Sequence, residues 1–180
     1  LRVPTSYFTG GNFSVHLEDL NRDGILDATQ ILSTATHSLA VALGNSDGSF
    51  SAAVTYGVGL GTITAQSARH LDLNRDGNVD IAIGTVTYGV QVQLGNGDGT
   101  FSIGSSFFTV GGDIEKISDG DFNKDGFADL ALSDPNQQVV KILYGAGDGT
   151  FSSSLSVLSA SVGGTGLDVK DINHDGNDDI

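Results

Sequence analysis

Hydrophobic residues in this chain recur at every second position in short runs. Leu39, Val41 and Leu43 form one run, Val90, Val92 and Leu94 a second, and Val140, Ile142 and Tyr144 a third. Small or polar residues separate them, most clearly in VQVQLG at 90–95. A period of two predicts strands with one buried face. A short apolar segment precedes each run: IAIG at 81–84, LALS at 130–133, and the weaker ATQIL at 28–32. Two further segments complete each unit, such as FSVHLEDL or IEKISDGD on one side and GSSFFTV on the other. No stretch has a convincing 3.6-residue period, so strands are expected throughout.

The units repeat. DLNRDGILD at 19–27 returns as DLNRDGNVD at 72, DFNKDGFAD at 121 and DINHDGNDD at 171, with spacings of 53, 49 and 50 residues. A second motif travels in phase, as LGNSDGSF at 43–50, LGNGDGTF at 94–101 and YGAGDGTF at 144–151. Four strands in about 50 residues make one blade of a β-propeller. The expected fold is all-β, built of four-stranded antiparallel blades, with about 3.5 repeats. The expected boundaries are an outer strand of a preceding blade at 1–11, blades at 12–60, 61–111 and 112–163, and the start of a fourth at 164–180. Closed propellers take roughly four to eight blades. An open arc would leave edges unpaired, through either a fragment boundary or an assembly interface.

Composition supports a turn-rich β protein: 26 Gly, two Pro and 38% apolar residues. There is no Cys, hence no disulfide or thiolate metal site. No apolar run approaches the length of a membrane span, so membrane insertion is not expected. The chain starts at Leu without a leader pattern, which suggests processing or excision from something longer. The net charge of −14 argues against nucleic acid as a partner. The acids are concentrated: positions 1, 5 and 9 of the four loops hold 12 of the 22 acidic residues. Four divalent cations would set eight positive charges against −14 and leave −6.

Positions 1, 3, 5 and 9 of the loop are Asp, Asn, Asp and Asp in every copy, and position 6 is always Gly. They are Asp19, Asn21, Asp23 and Asp27; Asp72, Asn74, Asp76 and Asp80; Asp121, Asn123, Asp125 and Asp129; and Asp171, Asn173, Asp175 and Asp179. Backbone carbonyls at position 7 would come from Ile25, Asn78, Phe127 and Asn177. Ca²⁺ takes about six to eight hard oxygens at flexible distances, and Gly at position 6 permits the sharp turn. One Ca²⁺ per loop, three to four per chain, is the expectation. An EF-hand would need Glu at position 12 and flanking helices. Position 12 is Gln30, Ile83 or Leu132 in the first three loops, so that motif is rejected. Position 4 is Arg22, Arg75, Lys124 or His174, read as a surface residue offsetting local acid.

D-x-N-x-D-G-x-x-D alternating with L-G-N-G-D-G-T-F resembles the FG-GAP/VCBS repeat, over essentially the whole chain. That resemblance implies integrin α-like propeller blades with Ca²⁺ in a hairpin loop of each. It does not imply one activity.

Other signals weigh less. GNSDG at 44–48 has the G-x-S-x-G spelling, but its counterparts replace Ser46 with Gly and no helix follows. Asp47, Asp98 and Asp148 in those turns read as caps. GVGLG at 57–61 lacks a βαβ context. His16, His37, His70 and His174 show no metal spacing. No nucleophile, base and orienter combine, so an enzyme is not expected. There is no Trp for sugar stacking, although Tyr7, Tyr56 and Tyr88 remain, and Asn12 opens an N-x-S sequon. The leading expectation is a non-catalytic, extracellular, calcium-binding propeller module for adhesion or ligand binding. Its partner would be a protein or a glycan. The rivals are a subunit that assembles with copies of itself through exposed blade edges, and a lectin or accessory domain of a secreted polysaccharide-active enzyme.

Overall fold

The computed structural model describes residues 15–32, 38–58, 67–85, 89–107, 114–152, 155–159 and 166–180. The strand expected at 1–11, the sequon at Asn12, and Tyr7, His37 and Tyr88 lie outside the described residues.

Among the described residues, twelve strands form three four-stranded antiparallel sheets in simple chain order. Blade 1 holds β1 (His16–Glu18), β2 (Asp27–Leu32), β3 (Ser38–Ala42) and β4 (Val54–Gly57). Blade 2 holds β5 (Ser67–Leu71), β6 (Asp80–Thr85), β7 (Gly89–Gly95) and β8 (Phe101–Phe107). Blade 3 holds β9 (Lys116–Gly120), β10 (Asp129–Asp134), β11 (Val139–Leu143) and β12 (Leu155–Ser159). Each acidic loop joins the first strand of a blade to the second. Each Gly-Asp-Gly turn joins the third to the fourth, so both motifs lie at the same end of the sheet. The fourth acidic loop is closed by paired backbone bonds between Lys170 and Asp179, each 3.0 Å. No helix among the described residues is long and apolar enough to cross a membrane.

The core lies between blades. Leu20, Ile31, Leu39 and Val41 of blade 1 pack with Ile81, Ile83 and Phe101 of blade 2. Ala82, Val90 and Val92, on the other side of blade 2, pack with Ile117, Leu130, Leu132 and Leu143 of blade 3. Ala131, Val140 and Ile142 then turn to Leu167 and Val169 of the fourth unit. Each middle strand is therefore sandwiched, and β2, β3, β6 and β10 are buried along their full length. The period-two runs predict one buried face, and the structure buries both. Polar side chains are the reason one face looks solvent-directed in sequence. Gln91 and Gln93 of β7 are 5% and 0% exposed, and the Gln93 amide donates to the Gly57 carbonyl of blade 1 at 3.0 Å. Blade 3 places a buried ion pair on the corresponding face, Lys141 Nζ to Asp134 Oδ2 at 2.8 Å. Removing one partner of such a pair costs about 3–5 kcal/mol, so it ties the far ends of β10 and β11 together.

The first strands are linked by polar contacts. Arg69 pairs with Asp119 at 2.7 Å, and the Ile117 N–H donates to Ser67 Oγ at 3.1 Å. His70 stacks on His16, with ring centroids 3.9 Å apart, and its Nε2 lies 2.9 Å from Thr29 Oγ1. Burial, and to a lesser degree the charges of His16 and Arg69, lower the His70 pKa from 6.5 to about 3. The unfolded chain therefore takes up a proton below about pH 6.5 that the folded chain refuses until about pH 3. The contribution of His70 to stability therefore falls as pH drops through that window. The expected outcome is that His70→Gln loses less stability than the parent between pH 7 and pH 4 in urea unfolding. Equal losses in both proteins would contradict it.

Candidate metal centre

Each acidic loop is a cage of side-chain oxygens folded back on its own backbone. The position-1 carboxylate accepts the N–H of the position-6 glycine: Asp19 from Gly24 at 2.9 Å, Asp72 from Gly77 at 2.8 Å, Asp121 from Gly126 at 3.0 Å and Asp171 from Gly176 at 2.9 Å. Asn21, Asn74, Asn123 and Asn173 accept the position-5 N–H at 2.9–3.0 Å. The position-5 carboxylates of Asp23, Asp76, Asp125 and Asp175 accept the N–H of Ile25, Asn78, Phe127 and Asn177 at 2.7–2.8 Å. These local bonds curl the chain tightly enough that position 6 sits at φ 82–83° in every copy, where glycine is at ease.

Position 9 does something different. Asp27, Asp80 and Asp129 are 0% exposed. One oxygen of each accepts the position-2 N–H of its own loop, from Leu20, Leu73 or Phe122, at 2.8–2.9 Å. The other accepts the N–H of Gly44, Gly95 or Gly145, at the start of the Gly-Asp-Gly motif, at 2.8 Å. The buried carboxylate thus staples the two motifs together, which is why they travel in phase. These glycines must be glycine for a steric reason. A Cβ at Gly44, Gly95 or Gly145 would collide with the position-8 carbonyl of Leu26, Val79 or Ala128. In the fourth loop Asp179 is partly buried and accepts the Ile172 N–H at 3.0 Å.

The donors suit a hard cation, being carboxylate and amide oxygens throughout. Electrostatics point the same way. Burial pushes the Asp80 pKa up, although the N–H groups of Gly95 and Leu73 oppose it, and the Asp76 and Asp72 carboxylates push it further. Burial likewise raises Asp129, with Asp125 adding to the effect. Carboxylates close enough to oppose one another's ionisation are relieved by a shared cation. Among the described residues, however, no group of three or more Asp, Glu or His side chains stands arranged as a metal site. The oxygens are engaged with backbone N–H groups, and each carboxylate retains further lone pairs for a cation.

Two features are not legible in sequence. Position 4 is left-handed in every loop, with φ near 61° at Arg22, Arg75, Lys124 and His174. Instead of only offsetting local acid, Arg22 donates to the Gly77 carbonyl of the next loop, and Arg75 to that of Gly126. Arg75 also lies 4.4 Å from the centre of the Phe127 ring. In the fourth unit Asp178 reaches back to accept the Asp121 N–H at 3.1 Å. The turn aspartates behave as caps: Asp98 accepts the Thr100 N–H at 2.9 Å and the Thr100 hydroxyl at 2.5 Å, with matching N–H bonds at Asp47 and Asp148.

Asp80→Ala in calcium-free buffer should orphan two buried donors, on Leu73 and Gly95. The expected loss is roughly 1–3 kcal/mol for each by urea unfolding, with Asp80→Asn losing less because it keeps one acceptor. A loss below about 0.5 kcal/mol, the range of an ordinary surface substitution, would show that the staple does not hold the blade.

The comparisons with known proteins agree with this architecture. The FG-GAP-like repeat family matches residues 72–132 and 121–180. A search of curated proteins matches none. Among solved structures, a lectin of Agrocybe aegerita, described for specific recognition of non-reducing terminal N-acetylglucosamine, is similar with a TM-score of 0.56 and 26% identity. The similarity covers 79% of this chain and 37% of the lectin, so this chain spans well under half of its length. The two family matches together run from 72 to 180, more than half the chain; this chain belongs to the FG-GAP-like repeat family, with a β-propeller-like fold.

Proposed function

We propose that this chain is an extracellular, non-catalytic binding module whose blades are ordered by calcium. The observation that carries this reading is the near-identical oxygen cage of four loops that differ in sequence at positions 2, 7 and 8. In each loop the side chains at positions 1, 3, 5 and 9 would hold the ion, helped by the position-7 carbonyl. Bound Ca²⁺ supplies the positive charge that lets three carboxylates ionise together. The chain's own part is to pin the loop ends, through the buried aspartate, to the neighbouring turn. Extracellular modules commonly bind Ca²⁺ at ~10⁻⁴–10⁻³ M, a range kept filled outside cells. The test is thermal unfolding in a few millimolar Ca²⁺ and in excess chelator. Filled sites should raise the melting temperature by at least about 5 °C. Identical melts would overturn the calcium reading.

The ligand we propose is a glycan, and the similarity to the Agrocybe aegerita lectin supports that choice over a protein partner. A glycan array probed in calcium should show a defined set of bound sugars. Silence across the array would remove this reading and return the choice to a protein ligand.

A further inference from the structure

Position 4 of the loop combines two facts that belong together. An L-residue in the left-handed region is destabilised by roughly 1–2 kcal/mol, and glycine would avoid that cost. Yet the chain places long basic side chains there in three of the four loops. Such strain persists where the surrounding structure holds it, and it marks a place to look for function.

The side chains go forward. Arg22 in loop 1 donates to the position-6 carbonyl of loop 2, and Arg75 in loop 2 donates to the same carbonyl of loop 3. Gly77 and Gly126 are therefore held from two sides. Their N–H groups are caught by Asp72 and Asp121 of their own loops, and their carbonyls by the arginine of the blade before. A Cβ at Gly77 would stand 2.9 Å from the Arg22 guanidinium, and one at Gly126 3.2 Å from that of Arg75. The space at Gly24, which follows no described loop, and at Gly176, which follows the loop that carries lysine at position 4, holds nothing within 4 Å. The Phe127 ring gives Arg75 a second hold on loop 3, since guanidinium groups stack favourably on aromatic faces.

We infer that Arg22 and Arg75 are positioning residues that couple the order of each acidic loop to that of the loop before it. A loop that uncurls releases its position 4 from the left-handed conformation and withdraws the arginine from its neighbour. The neighbour then loses one of the two holds on its sharpest turn. Extended to metal, the coupling rests on the calcium reading above: an ion that orders loop 2 also favours the ion in loop 3, and an ion in loop 3 favours the one in loop 2 by the same factor.

Arg75→Gly tests this, because glycine relieves the strain in loop 2 while removing the reach to loop 3. Hydrogen exchange is followed in chelator, where no metal enters. The expected result is exchange roughly 3–10-fold faster at the Gly126 and Phe127 amides, with loop 1 unchanged. Unchanged exchange in loop 3, with loop 2 better protected, would overturn the inference. Arg22→Gly, read at Gly77 and Asn78, repeats the test one blade earlier and covers a failure of the first variant to fold. Calorimetric titration with Ca²⁺ then reads the metal arm. Weaker binding at one site of Arg75→Gly supports metal coupling, and unchanged isotherms refute it. A parent that binds no Ca²⁺ refutes the metal extension and the calcium reading together, while the coupling of loop order is still decided by the exchange rates.

Discussion

One buried carboxylate per blade organises this fold. A carboxylate with no exposure is costly unless its oxygens are satisfied, and Asp27, Asp80 and Asp129 satisfy theirs with N–H groups from two separate pieces of chain. One piece is the acidic loop and the other is the Gly-Asp-Gly turn between the third and fourth strands. The bond therefore closes the end of the sheet across strands one to four. It also brings the glycine backbone so near the loop that no side chain fits. An acidic loop without its glycine turn, or the turn without its loop, would leave a buried charge or buried donors unpaired.

Because the motif end of each sheet is pinned this way, the sheet faces are free to serve as interfaces. The apolar side chains of the middle strands pack against neighbouring blades, and the described core clusters run between blades and not within one. Stability is then a sum over neighbouring blades, as in other repeat architectures. The seam between blades is layered. Polar contacts such as Arg69–Asp119 join the first strands, aliphatic residues fill the middle, and at the loop end arginines reach across to the next turn. That last layer links one loop to the next, through Arg22 and Arg75 and, from the fourth loop back to the third, through Asp178.

Much of this architecture is legible in sequence, for a physical reason. Strand number, order and blade period follow from short apolar runs punctuated by Asp- and Gly-rich turns, and those signals are local. The loop oxygens are legible too, because a turn of this kind needs Asp, Asn and Gly at set offsets. What period-two alternation conceals is the second buried face. Gln91 and Gln93 look solvent-directed in VQVQLG, and only the stacking of blade 1 on blade 2 buries them. The dual role of Asp80 is hidden because its partner Gly95 is 15 residues away. Arg22 and Arg75 look like simple charge compensation, since no local pattern shows that their acceptors lie 55 and 51 residues downstream.

Whether the four pre-curled acidic loops are calcium sites is tested most directly by counting calcium. The protein is brought to equilibrium by dialysis against a few millimolar Ca²⁺ and assayed for bound metal. Three to four ions per chain are expected, held by the loops at 19–27, 72–80, 121–129 and 171–179. A count indistinguishable from zero at millimolar calcium would contradict the calcium reading, and the cages would then be turns held by hydrogen bonds alone.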